Sequence, residues 1–246
     1  MDTPGNENTD SSWQALYRLG GAAALATVVT GLAEIGITFL PGGRTPLVTV
    51  VDWFNQYQTY PFMAMRNLGL VNIILVTLGL PVTLALYGAH RRVNLAFAAL
   101  AAIISFIGVA TFFATNRAFP MLDLSRQYAA ATTDAQRAAL IAAGQSMLSV
   151  GQSHTAGTFL AFFLSEIAGL TMSIVILRGG VFGKAVGIVG IVGNASFLVF
   201  EVCASFITGL SNVAMAFAMV GGLLTIAFNI LVGLRLLRLG RSIAER

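Results

Sequence analysis

Three carboxylates fall inside apolar stretches of the sequence, where a charged group needs a physical reason to be present. Glu34, Glu166 and Glu201 each lie in a mostly apolar run that is long enough to cross a lipid bilayer. A charge at the membrane centre costs at least about 2.5 kcal/mol on insertion scales, so such side chains turn toward a bundle interior. Buried carboxyl groups can bind and release protons near neutral pH, which predicts proton handling or ligand binding.

Other polar side chains at the same helix ends could complete such a site. The predicted site is a polar cavity that opens outward, and it is lined by Glu34, Arg66, Asn67, Asn72, His154, Glu166, Asn194 and Glu201. The alternative is that each glutamate is protonated or paired with a neighbour and only orders the helix bundle. The sequence leaves both interpretations open.

Several other chemistries have no support in the sequence. It contains no HExxH motif, and the two histidines, His90 and His154, are expected at opposite ends of the membrane, where they cannot share one haem. Lys184 falls in a loop, and Cys203 is the only cysteine and lies in an apolar span. The glycine run GIVGIVG lies inside an apolar helix and favours close helix packing over nucleotide binding. No cofactor and no metal are therefore predicted.

Composition places these residues in a membrane protein. The chain has 246 residues, of which 57% are hydrophobic and only 10% are charged, whereas soluble domains carry about 25% charged residues. One soluble core cannot bury that much apolar surface. The net charge of +4 comes from basic residues at helix ends, so the predicted partner is the lipid bilayer and not nucleic acid.

The hydropathy pattern predicts an all-α integral membrane helix bundle of about six transmembrane helices. The expected spans cover residues 17–40, 65–87, 93–115, 155–177, 185–207 and 212–236 of a single membrane domain, 15–240. Residues 1–14 are expected to form a disordered cytoplasmic tail, and 241–246 a basic cytoplasmic tail. The breakers Gly79 and Pro81 predict a kink in the second span.

Two longer segments separate the spans. Residues 44–61 are rich in aromatics and are expected to form a loop at the membrane interface. Between the third and fourth spans, Thr133 and Gln136 match a capping box, so an extracytoplasmic amphipathic helix is predicted from there to Met147. Leu140, Ala143, Gly144 and Met147 share one face of this helix.

The basic residues predict the orientation. Nine of the fourteen would lie on the side of both termini, namely Arg18, Arg91, Arg92, Arg178, Lys184, Arg235, Arg238, Arg241 and Arg246. The other side would hold Arg44, Arg66, Arg117, Arg126 and Arg137. The positive-inside rule then places both termini in the cytoplasm. Arginine is used almost exclusively over lysine, which together with the alanine content indicates a bacterial chain and its cytoplasmic membrane.

The segment QYAAATTDAQRAALIAAGQ, residues 127–145, resembles the signature of a bacterial membrane-protein family catalogued as a domain of unknown function, number forty-three eighty-six. The segments LYRLGGAAAL, LALYGAHRRVN, ILRGGVFGKAVGIVGI and LVGLRLLRLG are similar to the same family. The resemblance extends from about Ala15 to Gly240. It implies a membrane domain of six or seven helices, but it implies no activity and no functional residues.

Three functions are compatible with this sequence. The first is binding or transport of a small molecule, lipid or proton through the polar cavity. The second is an accessory or sensory subunit that acts through contacts with a membrane-protein partner or a second copy of the chain. The third and least favoured is an intramembrane enzyme with a glutamate as general acid or base.

Overall fold

The structure is a computed structural model, and it describes residues 4–43 and 46–242. In these residues it has ten α-helices and no strand. The helices are α1 (Pro4–Ile37), α2 (Val50–Thr59), α3 (Pro61–Asn67), α4 (Leu70–His90), α5 (Leu95–Thr115), α6 (Ala118–Ala130), α7 (Asp134–Gly151), α8 (Phe159–Gly179), α9 (Lys184–Phe206) and α10 (Ser211–Ser242).

Six helical stretches in the described residues are long and apolar enough to cross a membrane. They are Trp13–Ile37, Leu70–His90, Leu95–Ala130, Phe159–Gly179, Lys184–Phe206 and Ser211–Arg241. Helices suit this solvent because they satisfy their own backbone hydrogen bonds, which lipid cannot do. The prediction of an all-α helix bundle is confirmed, and the chain is a multi-pass membrane protein.

The six long helices form a closed ring. α1 packs between α4 and α10, and the ring continues through α9, α8 and α5 back to α4. The start of α1, the end of α10 and the short loops after α4 and α8 lie at one end of this ring, called here the basic end. The other end carries α2, α3, α6 and α7, which together are called the cap.

Small residues bring the helices of the ring close together. Gly20 on α1 lies against Ala85 on α4, and Gly21 lies against the backbone of Gly233 on α10. A side chain at any of these glycines would overlap its neighbour, so glycine allows the close approach on which helix association in lipid depends. The run GIVGIVG behaves in the same way, because Gly190 packs on Ser173 and Phe228.

The basic end is held by contacts between the two terminal helices and the short loops. Arg18 donates from Nε to the Gly240 carbonyl at 2.9 Å, which joins α1 to α10. Arg91 lies over the Trp13 ring at 4.1 Å from its centroid. His90 is fully buried, stacks on Phe182 and places Nδ1 2.9 Å from the Leu86 carbonyl oxygen.

The cap corrects one expectation. Residues 44–61 were expected to form an interfacial loop, but α2 occupies Val50–Thr59 and α3 begins at Pro61. The segment between the third span and the capping box, for which no element was predicted, contains α6. The cap has its own core, which consists of Val50, Trp53, Phe54, Tyr57, Ala64, Leu68, Ala118, Met121 and Leu148.

The predicted amphipathic helix is confirmed. Thr133 caps α7 with the expected reciprocal bonds to Gln136, and the helix continues beyond the expected end to Gly151. Gly144 is buried against Val50 and Phe54 of α2, so this face of α7 packs on α2 inside the cap and not on lipid. Close contact at this position leaves no room for a Cβ atom.

Some expected boundaries also differ. α1 begins at Pro4, so the part of the expected disordered tail from Pro4 onward is helical, and it ends at Ile37 rather than at residue 40. The second span begins at Leu70 rather than 65, because Gly69 with φ of 89° separates it from α3. α10 reaches Ser242, beyond the expected start of the C-terminal tail. Residues 1–3, 243–246 and Arg44 lie outside the described residues.

Candidate functional site

Glu34 forms an ion pair with Arg66 between α1 and α3. The Arg66 Nε atom lies 2.5 Å from Glu34 Oε1, and the side chains are only 12% (Arg66) and 27% (Glu34) exposed. The same guanidinium donates to the Glu34 carbonyl and to the Thr38 hydroxyl. Arg66 therefore neutralises the carboxylate and adds a third hydrogen bond to the Glu34 carbonyl, which already accepts from the Thr38 N–H and hydroxyl. Glu34 Oε2 is buried and has no hydrogen-bond partner.

This ion pair continues into a polar network of the cap. Arg66 donates to Asn67 Oδ1 at 3.0 Å, and the Asn67 amide donates to Gln56 Oε1 at 3.2 Å. Gln56 is buried and donates to the Gly42 carbonyl at 2.8 Å. The network fixes the connection between α1 and α2, and it leaves Glu34 Oε2 buried without a hydrogen-bond partner.

A second acidic site lies where the loop before α8 meets α9. His154 Nδ1 is 2.6 Å from Glu201 Oε1, and Glu201 is almost completely buried. The imidazole is 39% exposed and lies between the Phe162 and Phe200 rings, at 4.8 and 4.7 Å between centroids. His154 has φ of 57°, a conformation that side chains other than glycine seldom adopt and that often marks functional sites.

Glu166 lies on α8, the helix that packs against α9. Glu201 Oε2 and the Ser205 hydroxyl, one helical turn further along α9, are both buried and have no hydrogen-bond partner. Unpaired buried polar atoms are uncommon in folded proteins because they lose their hydration without compensation. Glu34 Oε2 in the cap network is in the same state, so both acidic sites keep unused hydrogen-bonding capacity.

The interface between α8 and α9 is polar along much of its length. Gly169 lies against the Asn194 side chain, whose Nδ2 donates to the Gly190 carbonyl at 2.6 Å. Closer to the basic end, Gly190 lies against the fully buried Ser173. Polar side chains thus follow this interface from His154 at the cap end past the middle of the membrane.

A cavity of about 220 Å³ lies inside the ring, next to this interface. Five of the six long helices contribute to its walls, each with residues near the middle of its span. Its polar walls come from Thr27, Thr83, Ser105, Ser165 and Asn229, and the remainder from Leu75, Gly79, Val82, Leu86, Ala101, Ala168, Gly169, Met172 and Phe228. Polar cavities at the midplane of a helix bundle are where membrane carriers hold substrates and coupling ions.

The structure places the residues of the predicted polar cavity in separate groups. Arg66, Asn67 and Glu34 join at the cap, whereas His154 pairs with Glu201 where the loop before α8 meets α9. Glu166 lies on α8, and no hydrogen bond or ion pair joins it to either group in the part of the chain that the structure describes. Asn72 lies in the first turn of α4 beside Gly69, and Asn194 lies against Gly169. None of the predicted residues is among those that line the midplane cavity, whose walls are mostly apolar with five hydroxyl or amide side chains.

A sequence signal for the midplane cavity does exist. Thr27, Ser105, Ser165 and Asn229 stand on helix faces where small and polar residues recur at helical spacing. Thr83 and Gly79 were missed, because each is isolated in a strongly apolar part of α4. A carboxylate in an apolar sequence indicates a candidate site, whereas a single hydroxyl group does not, because such groups are common in transmembrane helices and bond their own backbone.

Two titratable side chains outside the spans have shifted pKa values. The Thr49 backbone N–H, followed by the Thr49 side chain, lowers the pKa of Asp52 in the capping box of α2. Burial raises the pKa of Tyr57, whose hydroxyl donates to the Ala118 carbonyl at 2.7 Å. Both groups stabilise the cap, and neither faces the midplane cavity.

The fold and these sites define a multi-pass helical membrane protein with a polar cavity in its ring. No match was found in a scan against models of known protein families, in a search of curated proteins or in a search of solved structures. The resemblance to the bacterial membrane-protein family therefore stays a prediction, and the function is argued from the chemistry of the sites.

Proposed function

We propose that the protein binds a small uncharged molecule in the midplane cavity and carries it across the bacterial cytoplasmic membrane. The observation that carries this proposal is the position of the cavity, which is walled by the central parts of five membrane-length helices. Each of the five polar side chains in its walls bonds to a group of the protein, and their hydroxyl and amide oxygens keep lone pairs that a ligand could use.

The free hydrogen-bonding capacity of the walls favours a ligand rich in donors. Thr27 and Ser165 donate their hydroxyl protons to carbonyls of their own helices, at 3.0 and 2.9 Å, so their oxygens still have lone pairs to offer. The Asn229 Nδ2 donates to the Thr225 carbonyl at 2.9 Å. Since no charged side chain among the described residues lines this cavity, a neutral ligand suits it better than an ion. Polyols and amides have this chemistry.

The size of the cavity limits the ligand to a small molecule. Its volume of about 220 Å³ lies below the roughly 300–1,000 Å³ of pockets that hold drug-sized ligands.

Pro81 lies in the part of α4 that forms the cavity wall, between Gly79 and Val82, and removes one backbone hydrogen bond of that helix. Such a position is a natural hinge for opening the cavity to one side.

The direction of the chain in the membrane follows from its charges. Arg91, Arg92, Arg178 and Lys184 occupy the short loops of the basic end, where the positive-inside rule has its greatest weight. We infer that the basic end faces the cytoplasm together with both termini. The cap then lies on the extracytoplasmic side.

Filling the cavity tests this proposal directly. Gly79 lines the cavity, and a Cβ atom there would meet no neighbour within 4 Å, so the Gly79→Leu side chain can enter the cavity without a backbone clash. Gly36→Leu is the matched control, because Gly36 is an exposed helical residue outside the cavity with equally open space. Both purified proteins would be reconstituted into liposomes, and the entry of glycerol and urea followed by stopped-flow light scattering.

We expect faster entry of at least one of the two solutes in vesicles with the unchanged protein than in protein-free vesicles. The Gly79→Leu protein should fall to the protein-free rate, and the Gly36→Leu protein should keep the higher rate. Equal rates for the two variants would overturn the assignment of the cavity. Entry no faster than in protein-free vesicles for both solutes would overturn the proposed ligand class.

A further inference from the structure

A second cavity lies at the basic end, where α1, α4 and α10 meet the loop after α8. Its volume is about 200 Å³, and Trp13, Tyr17, Arg91 and Arg92 lie in its walls. The membrane-length stretch of α1 begins at Trp13, and that of α4 ends at His90. The cavity therefore lies at the boundary between the apolar spans and water, where tryptophan and tyrosine are enriched in membrane proteins.

The Trp13 ring holds Arg91 in a defined position at this cavity. The Arg91 guanidinium lies over the ring at 4.1 Å from its centroid, which is a cation–π contact. The ring itself is seated on Gly88, where a Cβ atom would overlap it, and packs against Tyr17 and Tyr87 at 6.3 and 6.4 Å between centroids. An aromatic ring attracts the charge but supplies no oxygen acceptor, so the N–H groups of Arg91 remain available to a ligand.

The two arginines bring positive charge to the cavity without a neighbouring acid in the described part of the chain. The ion pairs found there use Arg66, Arg137 and His154, all at the cap end. No acidic side chain among the described residues lines the cavity. The Val181 carbonyl, in the loop that forms one wall, accepts a hydrogen bond from Arg235 Nε at 3.0 Å. An anion is therefore the ligand that suits this cavity.

The chemistry of the arginines favours a phosphate group among the possible anions. The planar fork of a guanidinium matches two phosphate oxygens with parallel hydrogen bonds, and two neighbouring arginines can share one phosphate. The volume of about 200 Å³ lies below that of pockets for drug-sized ligands. The cavity is therefore suited to a lipid headgroup or a small phosphate compound rather than to a whole lipid.

Positive charge at this end also has a general role, which does not account for the geometry. Cations are favoured at the C-terminal end of α4 by the helix dipole, and basic loops orient a membrane protein. Both effects need only a positive charge near the helix end. Neither needs a guanidinium seated on a tryptophan ring in the wall of a cavity, which is the arrangement of Arg91.

We propose that this cavity, called here the phosphate site, binds the phosphate group of an anionic molecule through Arg91 and Arg92. Its position at the membrane boundary favours a phospholipid as the source, since anionic headgroups attract basic residues close to the membrane surface. A soluble phosphate compound has the same chemistry and would enter from the water at the basic end. The phosphate site is separate from the midplane cavity and does not depend on the proposed function.

Lipid binding to the purified full chain tests the phosphate site. Native mass spectrometry in detergent would count bound lipids as phosphatidylglycerol is titrated, with zwitterionic phosphatidylcholine for comparison. The double variant Arg91→Gln, Arg92→Gln should bind phosphatidylglycerol about tenfold more weakly, because two cationic contacts are lost. The double variant Arg238→Gln, Arg241→Gln is the matched control. It removes two charges at exposed positions of the same end, outside the cavity, and should keep most of the affinity.

Trp13→Leu distinguishes a formed site from general attraction between charges. It leaves the net charge unchanged but removes the ring under Arg91, so phosphatidylglycerol binding should weaken by about two- to fivefold. Trp13→Phe keeps a ring and should retain more of the affinity than Trp13→Leu. These variants also test the site if the double arginine variant does not fold. Equal affinities of Trp13→Leu and the unchanged protein would overturn the seat of Arg91 as part of the site.

Inorganic phosphate and glycerol phosphate separate the two sources of the phosphate group. A preference for phosphatidylglycerol that depends on Arg91 and Arg92, and that excess inorganic phosphate does not abolish, would assign the site to lipid. Calorimetric binding of either soluble compound, lost in the same variant and without a lipid preference, would assign the site to a soluble phosphate. Equal affinity for both lipids without phosphate binding would overturn the proposal. So would equal losses in the Arg91, Arg92 variant and in its control.

Discussion

Gly169 on α8 lies directly against the side-chain amide of Asn194 on α9, and a Cβ atom at residue 169 would overlap the amide oxygen. The same glycine lines the midplane cavity. The Asn194 amide is held in place by its bond to the Gly190 carbonyl. The wall of the cavity and the polar α8–α9 interface are therefore one packed unit, and a change in either should affect the other.

Gly169→Ala should destabilise the protein because the added methyl group has to displace Asn194 or the α8 backbone. Overpacking of this kind typically costs about 1–3 kcal/mol. Thermal unfolding in detergent is the measurement, with Gly31→Ala as control, since Gly31 lies in a helix with nothing within 4 Å of a Cβ atom. Equal unfolding temperatures for the two variants would contradict the close contact.

The Glu34–Arg66 pair should show strong coupling in a double-mutant cycle. Arg66→Gln leaves the Glu34 carboxylate without its cation and should lower the free energy of unfolding by about 1–3 kcal/mol, less than for a fully buried pair because Glu34 is 27% exposed. Glu34→Gln should cost less, since Arg66 keeps Thr38 and Asn67 as partners. Denaturant unfolding in micelles would give the coupling energy, and additive effects would argue against the pair.

The helical parts of this fold could be predicted because lipid imposes a simple pattern. A membrane span needs a long apolar run, and all six were found in the sequence close to their observed positions. The cap was only partly predicted. The capping box at Thr133 identified α7, whereas α2 was missed although Thr49 and Asp52 form the same motif and Val50, Trp53, Phe54 and Tyr57 share one face.

The candidate sites were harder to predict because side-chain partners depend on how the helices are arranged. Glu34 and Glu201 look alike in the sequence, each near the cap end of an apolar helix. Only the packing shows that Glu34 meets an arginine while Glu201 meets a histidine. The midplane cavity likewise arises from the order of the helices around the ring, which a list of spans does not contain.

The capping box of α2 should make the cap sensitive to acid. Because the pKa of Asp52 is lowered in the folded protein, its stabilising effect is present above the unfolded value of about 3.9 and is lost as pH falls through the folded value. Urea unfolding of the cap, followed by Trp53 fluorescence in a Trp13→Phe background, should show this loss. Asp52→Asn should remove that pH dependence.

A matched variant separates the acid effect from the loss of the cap itself. Thr49→Ala should cost about 1 kcal/mol at neutral pH because the Asp52 amide loses its side-chain acceptor. It should keep part of the acid sensitivity, since the Thr49 backbone N–H still donates to Asp52 Oδ2 at 2.7 Å. Acid sensitivity of the same size in Asp52→Asn and in the unchanged protein would show that another group is responsible.

The Tyr57 hydroxyl should stabilise the cap up to alkaline pH. Tyr57→Phe leaves the buried Ala118 carbonyl without its donor and should cost about 1–2 kcal/mol of cap stability. Burial raises the pKa of Tyr57, so the stabilisation is complete below the unfolded value of about 10 and is lost as pH rises beyond it. The Tyr57→Phe cap should therefore start less stable at neutral pH but lose less stability above about pH 10. The control is Tyr60→Phe, because the Tyr60 ring of the same segment is exposed. Its unfolding, followed by Trp53 fluorescence, should match that of the unchanged protein. If the unfolding of Tyr57→Phe also matches that of the unchanged protein, this hydrogen bond does not hold α2 to α6.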